Sequence, residues 1–337
     1  MSKFYTNVSR YGNNILWRGY DENGKQFMKK VKFQPTLYIG VQEETGFKAL
    51  TNGRNMKPSL QDSMSKAKDW IEEKKDVHGM QIAGSTNYIA QFIQKEYPND
   101  IKFDTSKINI VSFDIEVDIS NGYPNMTTAE QEITSIAYKS SKSNTYHLLG
   151  RKDFNKYDTL LDIDPDDIHF LKFESEAELL RRFKHIWQMD YPDIVTGWNV
   201  EYFDVQYIVT RIIRLMGENT AKSLSPWGNI RQSSREMYGK PQSTWTISGV
   251  SVVDYMDAFK KFGYKYGTQE TYKLDHIAHV VLGEKKLDYS EYGNLTGLYE
   301  QNPQLYLDYN LKDTQLIQRM EDETGLMSLV MTMAYGG

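Results

Sequence analysis

Apolar positions follow two rhythms along this chain: short alternating runs in the first forty residues, then longer apolar runs and helical repeats. The runs FYTNV, NILWRGY, QFMKKVKF and TLYIG are separated by YGN, DENG and QP. Turn residues at that spacing predict an antiparallel meander. Met64, Ala67, Trp70 and Ile71 recur at helical spacing and predict a helix near 62–75. A second helix over 88–96 should end before Pro98. The polar stretch Pro98–Lys107 reads as a boundary.

The pattern then changes. INIVSFDIEV (108–117) is an apolar run of strand length, and further strands are predicted at 132–138, 144–149 and, as DIVTGW, 193–198. Ser175 and Glu178 form a capping box that opens a helix over 176–189. A helix over 202–215 should stop at Gly217. Residues 227–250 read as a hairpin turning at EMYGKPQ, with TWTISGVSVVDY returning as strand. Helices are predicted at 255–262, 274–282 and 303–330. Strands with interspersed helices make this region α/β, beside a smaller α+β N-terminal domain.

Composition adds limits. At 337 residues, 39% hydrophobic and 25% charged, the chain is globular and long enough for about two domains. It has no cysteine, which excludes disulfides, cysteine-ligated zinc and a thiol nucleophile. No apolar run approaches the ~18 residues of a membrane span, and MSKFYTNVSRYG lacks a secretory h-region, so a cytoplasmic protein without membrane partners is expected. Residues 1–107 carry 17 Lys+Arg against 12 Asp+Glu, whereas residues 108–337 carry 23 against 33. A basic first domain suits phosphates, and an acidic remainder would repel a polyanion unless metal ions mediate the contact.

Asp114 and Glu116, in F-D-I-E-V, share one face of their strand. Two like charges projecting from an apolar strand call for neutralisation, which Mg²⁺ provides with oxygen ligands; a solvated strand face is the alternative. Asp204 opens the helix after DIVTGW, where α/β sites form, or else simply complements the helix dipole. Tyr309 and Asp313, in Y-N-L-K-D, lie four residues apart on one helix face and suit either a metal-and-water site or an ordinary amphipathic helix. His276 and His279 have no third ligand at suitable spacing and read as structural.

Together these segments resemble a known family. FDIEV, GWNVEYFD and YNLKD resemble the three exonuclease motifs of the DEDDy class in family B DNA polymerases, those of T-even-type bacteriophages in particular. FYTNVSRYGNNILWRGYDENGK, LMGENTAKSLSP, EMYG and SVVDYMDAFKKF extend the likeness over nearly the whole chain. The resemblance implies an N-terminal domain (1–107), an RNase H-like 3′→5′ proofreading exonuclease with mixed sheet and flanking helices (108–325), and the start of a segment (326–337) returning to the N-terminal domain or meeting a partner chain. Asp114, Glu116, Asp204 and Asp313 would bind two divalent metals, Mg²⁺ or else Mn²⁺, with Tyr309 orienting the attacking water.

The substrate implied is single-stranded DNA or a primer 3′ end. Tyr123 is a candidate to stack on a terminal base or to pack on its own domain. Phe203 reads as core or substrate wall, and Asn199 as a brace for the site or part of a turn. Met237 and Tyr238 sit in a hairpin resembling one that separates primer from template, or in an ordinary surface hairpin. The polymerase motifs D-x-x-S-L-Y-P-S and Y-G-D-T-D-S do not occur, so no polymerase activity is expected of this chain. It reads as a fragment, or as half of a split polymerase whose remaining part is a separate chain. The other readings are a nucleic-acid-binding repressor module that takes RNA at the N-terminal domain, a structural half needing a polymerase partner, and an RNA 3′→5′ exonuclease, since no residue identifies a 2′-hydroxyl contact.

Overall fold

The computed structural model describes residues 2–237 and 240–336, without the side chains of 235–237, 240 and 241. The backbone forms two compact units, Met1–Phe103 and Asp104–Gly337.

In the first unit β1 (Phe4–Tyr11), β2 (Asn14–Tyr20) and β3 (Gln26–Lys32) form an antiparallel meander. The expected fourth strand leaves it. β4 (Thr36–Gly40) instead pairs with β6 (Asn55–Leu60) and β7 (Ile82–Ala83), and β5 (Phe47–Lys48) completes this second sheet. The Gln34–Pro35 break between β3 and β4 lets the chain change sheets. Helix α1 (Met64–Lys74) starts where the Ser63 side chain accepts from Lys66 N–H, and α2 (Tyr88–Glu96) where Asn87 caps Ala90. Trp17, Phe33, Leu37, Met64, Ala67 and Phe92 form the core of this unit.

The second unit is built on a six-stranded mixed sheet. In chain order its elements are β8 (Ile110–Val117), β9 (Ile133–Ser140), β10 (Tyr146–Gly150), β11 (Ile168–Lys172), α3 (Glu176–Met189), β12 (Ile194–Thr196), α4 (Asp204–Met216) and α5 (Glu218–Lys222). A two-stranded hairpin follows, β13 (Ile230–Met237) with β14 (Lys240–Ile247), then β15 (Ser251–Val252), α6 (Tyr255–Phe262), α7 (Leu274–Leu282), α8 (Leu295–Gln301), α9 (Pro303–Thr324) and α10 (Leu326–Gly336). The sheet order is β11-β10-β9-β8-β12-β15. β9 runs antiparallel to β8 and β10, while β12 lies parallel to β8 and β15. The return strand after the hairpin is broken at Gly249, whose φ of +89° turns the chain so that β15 joins the main sheet.

Alternation along β8 divides the unit. Phe113, Ile115 and Val117 enter a core with Leu179, Phe183, Val205 and Ile208 of α3 and α4. Asp114 and Glu116 point the other way, toward α9. The capping box expected at Ser175 and Glu178 is present on α3.

The single helix expected over 303–330 is two helices. Gly325 adopts φ +63°, its N–H donates to Glu321 O, and the chain restarts as α10. Leu326 and Met327 of the 326–337 segment join a cluster with Tyr255, Phe259 and Ile277 of the same unit. Apolar side chains on α6 and α7 bury these residues locally. Among the described residues, no helix is long and apolar enough to cross a membrane.

Candidate active site

The register of β8 against β9 sets the first half of the site. Asp114 lies opposite Ala137 and Glu116 opposite Ser135, so no bulky neighbour screens the two carboxylates from the helix crossing above. That helix is α9, which begins with Asn302 as cap and Pro303 in its first turn. Its 3.6-residue period brings Tyr306, Tyr309, Asn310 and Asp313 down together. Carboxylate oxygens of Asp114, Glu116 and Asp313 all come within 4.8 Å of one another. Asp313 is 5% and Glu116 8% exposed.

Asp204 reaches the same strand as the first residue of α4. It is 2% exposed, and its Oδ1 accepts a 3.0 Å bond from Ile115 N–H, between the two β8 acids. The structure thus groups three of the four expected carboxylates and sets Asp204 against the same strand through its backbone.

Two neighbours went unseen in the sequence. Asn310 is fully buried; its Nδ2 donates to Asp114 Oδ2 at 2.7 Å and to the Asp114 carbonyl at 3.2 Å. Its Oδ1 in turn accepts from Ser135 Oγ at 2.6 Å. Lys286, in the segment after α7, places Nζ 2.5 Å from Asp313 Oδ2 and 4.4 Å from the centre of the Tyr309 ring. Asn310 was accessible to helical spacing, since it lies three residues before Asp313. No spacing signal marks Lys286 within G-E-K-K-L-D-Y.

Tyr309 is 7% exposed and meets Tyr289 edge to face at 5.3 Å. A cavity of about 600 Å³, lined by Lys285, Lys286, Tyr289, Ser290 and Tyr309 among others, borders it.

Electrostatics follow from this crowding. Burial, and then the charge of Asp313, push the Asp114 carboxyl up to about 8. Burial, then Asp114 and Asp313, raise Glu116 well above the carboxylate range. Asp204 is raised in the same way by burial and Asp114. Burial also raises Asp313, against the pull of Lys286. Burial opposes the Lys286 ammonium, yet Asp313, Tyr309 and Asp114 hold its pKa well above the usual lysine value. Burial and Asp313 keep the Tyr309 phenol protonated.

Among the described residues, Lys286 alone does not balance four carboxylates, and Asp313 Oδ1 is buried with no hydrogen-bond partner. All the donors are hard oxygens, the set that Mg²⁺ or Mn²⁺ takes. The residues therefore fit a divalent cation held by Asp114, Glu116 and Asp313.

The remaining candidates are spread around this centre. Tyr123, on the loop after β8, is 82% exposed with its ring 6.3 Å from that of Phe203. Phe203, the residue before α4, is partly buried and stacks near Tyr207. Asn199 takes φ +61°, and its N–H donates to Asp254 Oδ1, so it serves the turn into α4. Tyr238 and the side chain of Met237 lie outside the described residues. His276 Nε2 pairs with Gln269 Oε1 at 2.9 Å.

Comparison with known proteins adds the family. Residues 66–277 match DNA polymerase family B, exonuclease domain. The chain is 30% identical over 354 aligned positions to the DNA-directed DNA polymerase of Enterobacteria phage T4, covering 99% of this chain and 38% of that protein. It is 31% identical over 355 positions to that of Escherichia phage RB69, covering 99% of this chain and 39% of that protein. The DNA polymerase catalytic subunit of Equine herpesvirus 2 is 28% identical over 224 positions, covering 62% of this chain and 21% of its own length. The chain spans less than two fifths of the phage relatives it matches. It belongs to the exonuclease-domain family of the family B DNA polymerases.

Proposed function

We propose that this chain is a divalent-metal-dependent 3′→5′ exonuclease that removes nucleotides from single-stranded or frayed DNA 3′ ends, the proofreading part of a replicative polymerase. The observation that carries this reading is the convergence of Asp114 with the buried Glu116 and Asp313, all within 4.8 Å, in a chain of this family. The 104–337 unit would then be an RNase H-like exonuclease and the 1–103 unit its N-terminal domain.

Asp114, Glu116 and Asp313 would hold the metal, with Asp204 as the further carboxylate if two ions bind. Two divalent ions in such a site supply Lewis-acid activation of the water and stabilisation of the leaving 3′-oxygen. The chain's own groups do the rest. Asn310, fixed by Ser135, aims Asp114 Oδ2. Lys286 ties down Asp313 and confines the ring of Tyr309. Tyr309, protonated and beside Asp313, is placed to orient the attacking water by its hydroxyl. Phe203 and Tyr123 offer apolar ring faces to an unpaired terminal base.

DNA rather than RNA is favoured by the phage and herpesvirus relatives, all DNA polymerases by name. The test is release of nucleoside 5′-monophosphate from 3′-labelled single-stranded DNA and RNA, with Mg²⁺ and with EDTA. Metal-dependent release from DNA supports the proposal; release from RNA alone reassigns the substrate, and no release from either refutes it.

A further inference from the structure

Helix α4 carries Asp204 at its first turn and grips the 118–132 loop along the rest of its length. Gln206 Nε2 donates to Met126 O at 3.2 Å, and Tyr207 OH to Gln131 O at 2.7 Å. Arg211 Nη1 donates to the carbonyls of Ala129 at 3.0 Å and Glu130 at 2.7 Å, and Arg214 Nη1 to Thr128 O at 3.4 Å. The loop held this way carries Tyr123.

Arg211 is the centre of the grip. It is 7% exposed and makes a two-armed pair with Glu176 of α3: Nε to Oε1 at 2.8 Å and Nη2 to Oε2 at 2.7 Å. Glu176, 8% exposed, also accepts from Ile133 N–H at 2.8 Å, where β9 begins. One ion pair therefore fixes the carbonyls of two loop residues and the first amide of the next strand. The loop is bent to meet it: Ala129 takes φ +43°, a conformation unfavourable for a residue with a side chain.

A connecting loop needs none of this. Burying an ion pair costs desolvation that an apolar contact avoids, and the best-attested use of such pairs is to fix register. Gln131 Nε2 donates to Gly122 O at 2.9 Å, which ties the held stretch to the residue before the exposed Tyr123, and the Tyr123 ring lies 6.3 Å from that of Phe203, next to Asp204 at the start of the same helix.

We propose that the Arg211–Glu176 pair is a positioning device that holds the Tyr123 loop so that a terminal base is seated against the catalytic end of α4. This rests on the exonuclease reading above, and it makes Arg211 a positioning residue that touches neither substrate nor metal.

The experiment compares wild type, Arg211→Lys, Tyr123→Ala and the double variant on single-stranded DNA and on the phosphodiester bis(p-nitrophenyl) phosphate, which carries no base to seat. Arg211→Lys keeps a cation beside Glu176 but loses the guanidinium arm to Ala129 and Glu130, so it is chosen to fold; far-UV circular dichroism and a cooperative melt check this. The expected result is a KM for DNA raised about tenfold, the scale of one lost base stack, with kcat for DNA and ester hydrolysis within about threefold of wild type. Tyr123→Ala should raise KM for DNA similarly, and the double variant should be no worse than either single one. Equal losses on DNA and ester, or independent and additive KM effects, would overturn the proposal. If wild type cleaves neither substrate the exonuclease reading fails, and fluorescence anisotropy of labelled single-stranded DNA decides the positioning claim. About tenfold weaker binding by Arg211→Lys sustains it, and unchanged binding overturns it.

Discussion

Among the described residues the Glu116 carboxylate has two close acidic neighbours, Asp114 and Asp313, and only charge and burial act on it, which makes Glu116→Gln an unusually clean perturbation. Its carboxylate lies within 4.8 Å of those of Asp114 and Asp313, on a residue that is 8% exposed. At an effective dielectric near 20, each such pair repels by about 3–4 kcal/mol when fully ionised. Lys286, 2.5 Å from Asp313, cancels part of this, and partial protonation removes more. The net relief on neutralising Glu116 should be about 1–3 kcal/mol in metal-free protein. For a unit of this size that raises Tm by roughly 2–10 °C.

The sign with pH follows from the raised carboxyl. The folded state holds the Glu116 proton more tightly than the unfolded chain does. Stability is therefore fully present below the ordinary value of 4.5 and drains away as pH rises through the folded value. Gln cannot titrate, so the variant's advantage should vanish near pH 4 and grow toward pH 9. Mg²⁺ should reverse the order, because it stabilises wild type by binding the ionised cluster and the variant much less. Differential scanning calorimetry in EDTA and then in MgCl₂, across that range, measures both effects. A variant less stable than wild type in EDTA at high pH, or equally stabilised by Mg²⁺, would refute the reasoning.

Asn310→Ala removes the bonds to Asp114 and strands Ser135 Oγ. It should cost about 1–3 kcal/mol in urea denaturation and weaken Mg²⁺ binding by calorimetric titration about 10–100-fold; undiminished affinity would contradict its aiming role. His147 is held near 4, below its ordinary 6.5, by burial first and then by His169 and Arg182. Because the folded value is depressed, its contribution is present above 6.5 and lost as pH falls toward 4, so His147→Gln should flatten the decline of stability across that window; an unchanged slope would assign the decline elsewhere. Gly325→Ala meets no atom within 4 Å, so only the φ of +63° penalises it, and thermal melts should show a loss of about 1 kcal/mol. A neutral result there would mean that the junction of α9 and α10 relaxes out of the left-handed region.

Periodicity located most elements because most of them bury one face. Helices α6 and α7 begin and end at the residues expected from the apolar spacing of YMDAFKKF and LDHIAHVVL. The misses have separate causes. The break at Gly325 was overridden by apolar residues on both sides, although glycine in the left-handed region is an ordinary helix stop. β4 reads like a fourth meander strand because sheet membership depends on partners 16 to 45 residues away, which alternation does not encode. β11 and α8 are short and flanked by polar residues, and both went unpredicted.

At the site, the spacing of Asp114 with Glu116 and of Tyr309 with Asp313 was legible, since i,i+2 on a strand and i,i+4 on a helix fix faces. Their meeting across the crossing of β8 and α9 is a tertiary fact. Lys286 enters only because the segment after α7 turns back over α9, and Arg211 looks like one polar residue in an apolar helix until Glu176 appears beside it.

The most direct measurement follows a 5′-labelled single-stranded DNA oligonucleotide incubated with the chain in Mg²⁺ or EDTA, for wild type and Asp114→Ala. The account predicts stepwise shortening from the 3′ end by wild type with Mg²⁺ and by neither the variant nor the EDTA control, a loss on the scale expected when metal ligation fails. Shortening that survives Asp114→Ala, or none at all by folded wild type with Mg²⁺, would contradict it.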